Sequence, residues 1–169
     1  MRTIFLSLLC ALATTIFAAD DSFKAGGLTF QKPASFKSKP AGGMRAAQLE
    51  YTADGKTAEA VFFAFGGDGG GVEKNVDRWL GQFEESKDKL NSKVEKKKVG
   101  EKEITYVEAE GTYKSGMPGG PTTPKPGTKL LGAILEGPEG NVFARMTGPA
   151  ATMKAADADF RKMIESASK

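Results

Sequence analysis

The sequence predicts an α+β fold, with a mainly antiparallel sheet of about six to eight strands flanked by two helices. Strand-like segments come in pairs separated by short turn signals, and such hairpins place neighbouring strands antiparallel. Two further segments repeat apolar residues at the 3.6-residue spacing of a helix. One strand, AEAVFFAF at residues 58–65, is apolar on both faces from Ala60 onward, which is typical of a strand covered on both sides.

The first 18 residues predict a cleaved secretory signal peptide. Arg2 precedes an apolar stretch at residues 4–17, and the small residues Ala18 and Ala19 follow it. This pattern is typical of export with cleavage near Ala18, and the stretch is too short to span a bilayer comfortably. Cys10 raises a lipoprotein alternative, but it lies inside the apolar stretch rather than at its end. We therefore expect a periplasmic or extracellular protein that is soluble after cleavage.

The composition narrows the possible chemistry. The 169 residues are 40% hydrophobic and 27% charged, which fits one ordinary globular domain. Removal of the signal peptide lowers the net charge from +3 to +2, which is too balanced to indicate nucleic-acid binding. The chain has no histidine, and its one cysteine lies in the predicted signal peptide. The mature chain therefore lacks histidine-based triads and disulfides, and only carboxylates remain as metal ligands.

A change in patterning near residue 43 divides the mature chain. Residues 19–43 predict an irregular N-terminal segment with short strands at GLTF and ASFK, punctuated by prolines. Residues 44–169 predict the α+β domain. We expect residues 19–169 to form one folding unit.

Local patterns predict the first hairpin and the first helix. Residues 46–51 (AAQLEY) alternate apolar and polar side chains as a half-buried strand does. Asp54 and Gly55 are a hairpin turn signal, and the doubly apolar strand at residues 58–65 follows them. A helix is predicted over residues 72–85, because five apolar side chains share one face. These are Val72, Val76, Trp79, Leu80 and Phe83.

Two more hairpins and a second helix complete the predicted order. Residues 93–99 (KVEKKKV) and 103–113 (EITYVEAEGTY) predict a hairpin that turns near Gly100. Residues 114–129 predict a long loop, because they are rich in glycine and proline and have no apolar period. LLGAILE and VFARMT predict a third hairpin, joined through GPEGN. Pro149 then opens a C-terminal helix in the first-turn position, with an inner face of Met153, Ala156, Phe160, Met163 and Ile164.

The order of elements resembles the PsbP/Mog1-type α/β/α sandwich. The stretches PASFK, MRAAQ and FGGDGGGVEKNVDRWLGQFE also resemble a group of uncharacterised bacterial exported proteins, and this resemblance covers most of the mature chain. The most distinctive part of the resemblance consists of Asn75, Arg78, Trp79, Gln82 and Phe83. The resemblance implies a sheet sandwiched between helices, and it implies no activity, because one fold hosts many functions.

Residues 66–71, here called the glycine loop, contain five glycines and lead into the predicted helix. They match the first two glycines of a dinucleotide fingerprint, but Val72 occupies the third position and no Lys-Ser/Thr pair follows. A helix start could attract an anion, although Asp68 opposes this. Asp68 and Glu73 supply only two carboxylates for calcium. The favoured interpretation is a strand-to-helix turn in which glycine permits positive φ angles.

Asn75, Arg78 and Gln82 form a polar stripe at i, i+3 and i+7 beside the apolar face of the predicted helix. Such a stripe could line a groove and recognise a carboxylate, with Arg78 as the bidentate donor. Alternatively, it bonds to neighbouring backbone carbonyls and has a structural role. We take Asp68, Asn75, Arg78 and Gln82 as the candidate ligand- or partner-binding residues, and we expect Trp79 to pack in the core.

Three functional classes remain in competition at this point. We predict an exported, non-enzymatic binding or accessory protein without a cofactor, which contacts a protein or a small ligand and not nucleic acid. A hydrolase could instead use paired carboxylates or a lysine base, since Lys114, Ser115 and Lys125 share the predicted loop. An envelope-associated structural protein could dock on an anionic membrane through the lysine-rich segment KVEKKKVGEKE at residues 93–103, although such lysines also protect an edge strand from pairing.

Overall fold

The computed structural model describes residues 21–116 and 120–167. The predicted signal peptide, its cleavage site and Cys10 lie outside the described residues. The helices of the described part are α1 (Val72–Leu80) and α2 (Ala150–Ser166). Its strands are β1 (Ser22–Ala25), β2 (Leu28–Gln31), β3 (Phe36–Lys39), β4 (Arg45–Ala53), β5 (Lys56–Ala64), β6 (Asn91–Val99), β7 (Lys102–Gly116), β8 (Thr122–Gly137) and β9 (Gly140–Pro149).

Seven of these strands form one antiparallel sheet in the order β3-β4-β5-β9-β8-β7-β6, and β1 and β2 form a separate ribbon. The predicted α+β fold with a mainly antiparallel sheet and two helices is therefore confirmed. β9 lies between β5 and β8, so the first hairpin joins the sheet through pairs that are distant in sequence, such as Phe62 with Ala144. The lysine-rich strand β6 lies at one edge, where its lysines oppose pairing with another chain.

The turns that join the hairpins lie where the sequence predicts them. Asp54 and Gly55 have φ angles of 50° and 69°, as a two-residue type I′ turn between β4 and β5 requires. Gly100, with a φ of 61°, lies in the turn between β6 and β7. Pro138 and Glu139 join β8 to β9 within the GPEGN segment. Local turn chemistry therefore explains these three hairpins.

Each side of the seven-stranded sheet has its own hydrophobic core. Phe62 of β5 belongs to the α2-side core, and Phe63 packs against the α1-side core, so β5 is covered on both sides as predicted. Trp79 lies in the α1-side core and is 5% exposed, whereas Val72 and Val76 are only half-buried. The predicted inner face of α2 is confirmed, because all five of its residues are at most 1% exposed: Met153, Ala156, Phe160, Met163 and Ile164.

Ion pairs attach α2 to the sheet. Arg161 of α2 contacts Glu108 of β7 at 2.6 Å and Glu95 of β6 at 3.1 Å. Its guanidinium also lies 4.5 Å from the ring centre of Tyr106, a cation–π distance. Burial raises the pKa of the Tyr106 hydroxyl, so this phenol stays neutral beneath the arginine. The positive charge of Arg161 is therefore fully compensated within the protein.

Helix α1 is shorter than predicted, because it ends at Leu80 rather than at residue 85. The residues after it turn onto β7 and pair with its backbone. The Glu84 N–H donates to the Thr112 carbonyl at 2.9 Å, and the Lys114 N–H donates to the Gln82 carbonyl at 2.8 Å. Pairing with a distant strand thus ends the helix although the apolar spacing continues.

The loop predicted at residues 114–129 is wrong, because most of this segment is a β-ribbon. β7 continues to Gly116 and pairs along its last residues with the start of β8. Residues 117–119 of the predicted loop lie outside the described residues. β9 pairs with β8 only from Thr128, so residues 122–127 form an outer edge of the ribbon. An edge tolerates the prolines that concealed this strand in the sequence.

Candidate functional site

Polar side chains occupy the part of the α1 side that lies on β4, β5 and β9. The α1-side core is centred instead on β7 and β8, where Trp79 packs against Gly132. A Cβ atom at Gly132 would collide with the Trp79 ring, so this close approach requires glycine. Five partly exposed polar residues alternate along their strands with the α2-side core: Gln48, Glu50, Glu59, Arg145 and Thr147. We call these five residues, together with the adjoining Gln82 and Tyr113, the open face.

The charges on the β4 and β5 half of the open face have partners within the protein. Gln48 Nε2 donates to Glu59 Oε1 at 2.6 Å, and Arg45 Nη1 donates to Gln48 Oε1 at 2.6 Å. Arg45 Nη1 also lies 3.8 Å from Glu59 Oε1. Lys39 contacts Glu50 at 3.1 Å. This half of the open face is therefore close to electrically neutral.

Gln82 organises the other half of the open face. Its Oε1 atom accepts a hydrogen bond from Arg145 Nη1 at 2.8 Å and another from the Tyr113 hydroxyl at 3.0 Å. A guanidinium can only donate, so these bonds identify the amide oxygen of Gln82. Within the part of the chain that the structure describes, Arg145 has no carboxylate within ion-pair distance. A partly buried cation is thus held by a neutral amide alone.

Asn75 and Arg78, the other members of the predicted polar stripe, form hydrogen bonds within the protein. Asn75 is 3% exposed, and its Nδ2 donates to the carbonyls of Gly69 at 3.1 Å and Gly71 at 2.7 Å. Arg78 Nη2 donates to Asn75 Oδ1, while the Arg78 side chain is largely exposed. Asn75 therefore fastens the glycine loop to α1. Arg78 lies about one helical turn before Gln82, at the surface.

Asp68 bonds to the backbone of the glycine loop. Its Oδ1 accepts from the Gly70 N–H at 2.9 Å, and its carbonyl accepts from Asn141 Nδ2 at 3.0 Å. Gly69 lies so close to the Phe143 ring that a Cβ atom would collide with it. Four of the five loop glycines have positive φ angles. The predicted strand-to-helix turn is confirmed, and the close approach to β9 adds a second reason for glycine.

Glu85, to which the sequence assigned no role, fastens the segment that carries Gln82. Both of its carboxylate oxygens accept from the Thr112 N–H at 2.9 Å. Gly111 leaves room for this contact, since a Cβ atom there would lie 2.6 Å from Glu85 Oε2. Hydrogen bonds from its own backbone N–H and from that of Thr112 hold the pKa of Glu85 below its usual range.

Sequence reasoning identified Gln82 but missed its two partners. Arg145 is 63 residues from Gln82 and Tyr113 is 31 residues away, so no local spacing connects them. One signal was present, because Arg145 is the one charged residue of the strand VFARMT, and charged residues are uncommon in central strands. Tyr113 carried no comparable signal.

A wide depression of about 1740 Å³ lies away from the open face, at the end of the sheet beside the glycine loop. This volume exceeds that of an ordinary ligand pocket, and the depression is an open rim of turns rather than an enclosure. The charged residues of its lining are mainly acidic: Asp68, Glu101, Glu103, Glu136 and Glu139, with Lys102 as the basic one. No group of three or more potential metal ligands lies together among the described residues. We therefore place the candidate site on the open face.

Comparisons with known proteins add no family or function. A scan against protein-family models found no match, and a search of curated proteins found no significant relative. No helix in residues 21–116 and 120–167 is both long enough and apolar enough to cross a membrane.

Proposed function

We propose that the chain is an exported, non-enzymatic binding or accessory protein that contacts a partner through the open face. The observation that supports this most is Arg145, a partly buried guanidinium on a central strand without a carboxylate partner in the described residues. Removing a charge from water is unfavourable unless it gains strong compensation. Arg161 on the other side of the sheet gains it from carboxylates. We infer that Arg145 gains it from a partner.

The fold we propose is the PsbP/Mog1-type sandwich that the resemblance implies. The position of α1 and α2 against separate cores on opposite sides of one sheet is consistent with that proposal. In such an arrangement, the strand surface that the helices do not cover is available for binding. Fold alone assigns no activity, so the proposed binding role depends on the open face.

The hydrolase alternative receives less support from the described residues. Lys114 and Ser115 are consecutive on β7, so their side chains point to opposite sides of the ribbon. Lys125 is exposed, whereas a lysine base needs burial. The carboxylates of the open face are Glu50 and Glu59, and both already contact cations.

The envelope-docking alternative depends on free positive charge along β6. Three of the β6 lysines contact carboxylates instead: Lys93 with Glu95, Lys96 with Glu103 and Lys97 with Glu165. This pairing reduces the charge available to an anionic surface. We therefore favour the open face over β6 as the contact surface.

Site-specific photo-crosslinking tests the proposed function. A photoreactive residue is placed at Thr147 on the open face or, as the control, at exposed Ala155 on the outer side of α2. The full chain is expressed in its own host and irradiated. We expect discrete adducts from position 147 only, and fewer adducts when Arg145→Met is added. Equal adduct patterns from positions 147 and 155 would reject the open face as the binding surface.

A further inference from the structure

We propose that Gln82, Tyr113 and Arg145, here called the Gln82 cluster, bind a carboxylate of an acidic peptide or protein segment. The inference rests on the proposed function, because it names the chemical group that the open face recognises. It is carried by the hydrogen-bonding capacity that the cluster leaves unused and by the guanidinium of Arg145, which has no carboxylate partner in the described residues.

The cluster has spare donors and few spare acceptors. The Oε1 atom of Gln82 already accepts two hydrogen bonds, from Arg145 Nη1 and from the Tyr113 hydroxyl. Arg145 Nε and Nη2 and Gln82 Nε2 are donors for which the described residues supply no acceptor. A ligand that fits must therefore bring acceptors. A carboxylate brings two oxygens in the planar geometry that a guanidinium fork recognises.

Charges of both signs surround the cluster, because Glu84 and Glu85 lie on the same segment as Gln82, which pairs with β7. Arg78 lies four residues before Gln82 and, like Arg145, has no carboxylate partner in the described part. Lys125 lies directly across from Tyr113 in the pairing of β7 with β8. Glu59, the nearest acidic residue along the neighbouring strand β5, is occupied by Arg45 and Gln48.

The shape of the surface indicates a peptide rather than a small molecule. Small ligands are held in enclosed pockets that bury most of their surface. Two cavities of the described part lie elsewhere, at the end of the sheet and beneath Arg161. The open face instead spans three strands, with polar side chains around the buried Val61, which lies between Gln48 and Arg145. A surface of this extent suits a side chain presented by an extended segment.

Binding of blocked hexapeptides to the mature protein tests this inference. The probe is acetyl-hexaglutamate amide, and the isosteric control is acetyl-hexaglutamine amide. The readouts are calorimetry and the fluorescence emission of Trp79, the one tryptophan. Its ring packs on Gly132, which is the strand-pairing partner of Arg145. We expect saturable binding of the glutamate peptide only, weakened at least about tenfold by Arg145→Met and also by Arg145→Lys, which loses the fork. Lys154→Met on α2 removes one exposed charge and should leave affinity unchanged.

The variant Gln82→Glu is the most discriminating test, because it separates the effect on stability from the effect on affinity. It supplies Arg145 with an internal carboxylate, so the folded protein should keep or gain stability while affinity for the glutamate peptide falls at least about tenfold. Equal binding of the two peptides, or unchanged affinity in both Gln82→Glu and Arg145→Met, would overturn the carboxylate assignment. If crosslinks from position 147 persist in that case, the binding surface stands and only its ligand class is wrong. If neither selective binding of the glutamate peptide nor crosslinking from position 147 is observed, the proposed function itself is rejected.

Discussion

The α2 side and the α1 side of the sheet share the same strands but differ in whether their partly buried arginines contact carboxylates. On the α2 side, a 17-residue helix and the β1–β2 ribbon cover the sheet. Arg161 on that side contacts Glu95 and Glu108. On the α1 side, a nine-residue helix covers only part of the sheet, and Arg145 is held by the amide of Gln82.

This difference indicates a division of roles. The α2 side meets the requirements of a stable core, with buried apolar contacts and compensated charges. The α1 side keeps a half-buried cation with unused donors, which contributes less to stability than a paired one would. Stabilities of variants on the two sides should therefore differ in a predictable order.

The largest effect should come from the centre of the α2-side core. Phe160 is 1% exposed, and Phe160→Ala leaves a cavity between α2 and the sheet. We expect a loss of about 3–5 kcal/mol in the free energy of unfolding, measured by urea denaturation. The exposed substitution Lys162→Ala is the control and should change it by no more than about 0.5 kcal/mol. Similar values for both variants would contradict the assigned core.

On the α1 side, the close approach of Trp79 to the sheet should be the most sensitive point. Gly132→Ala places a methyl group against the Trp79 ring, and we expect a loss of about 1–3 kcal/mol together with an altered emission spectrum. Gly42→Ala is the matched control, because its added methyl group meets nothing within 4 Å. An unchanged spectrum and stability in Gly132→Ala would show that α1 does not pack there.

A smaller, pH-dependent effect should come from Glu85. Its folded-state pKa lies below the ordinary 4.5, so its stabilising contribution is present above about pH 4.5 and is lost as pH falls through the folded pKa. The stability difference between the wild type and Glu85→Gln, from urea denaturation at pH 7 and near pH 3, should therefore shrink on acidification. Glu101→Gln, at an exposed turn, is the control. A difference that is constant with pH would contradict the bond to Thr112.

Much of the fold was predictable from local signals. Asp54 and Gly55 marked a turn, and the apolar spacing of Met153, Phe160 and Met163 marked the inner face of α2. Such features depend on neighbouring residues alone, so a single sequence reveals them.

The features that were missed depend on contacts between distant residues. Helix α1 ends early because Gln82 and Glu84 pair with β7. The β7–β8 ribbon was hidden because prolines are tolerated on its outer edge. Within the candidate site, the sequence identified Gln82 and could not place Arg145 or Tyr113 beside it. Asn75 and Asp68 were identified as candidate binding residues, but the structure shows that both bond to the backbone of the glycine loop.

A side-by-side comparison of Arg145→Met and Arg161→Met tests the division of roles most directly. For each variant, the free energy of unfolding and the affinity for acetyl-hexaglutamate amide are measured in the same buffer. We predict that Arg161→Met loses about 1–3 kcal/mol of stability, because carboxylates are left unpaired, and keeps its affinity. We predict that Arg145→Met stays within about 0.5 kcal/mol of the wild type and loses its affinity. The contradicting result is an Arg145→Met protein that is destabilised as much as Arg161→Met and binds the peptide as the wild type does.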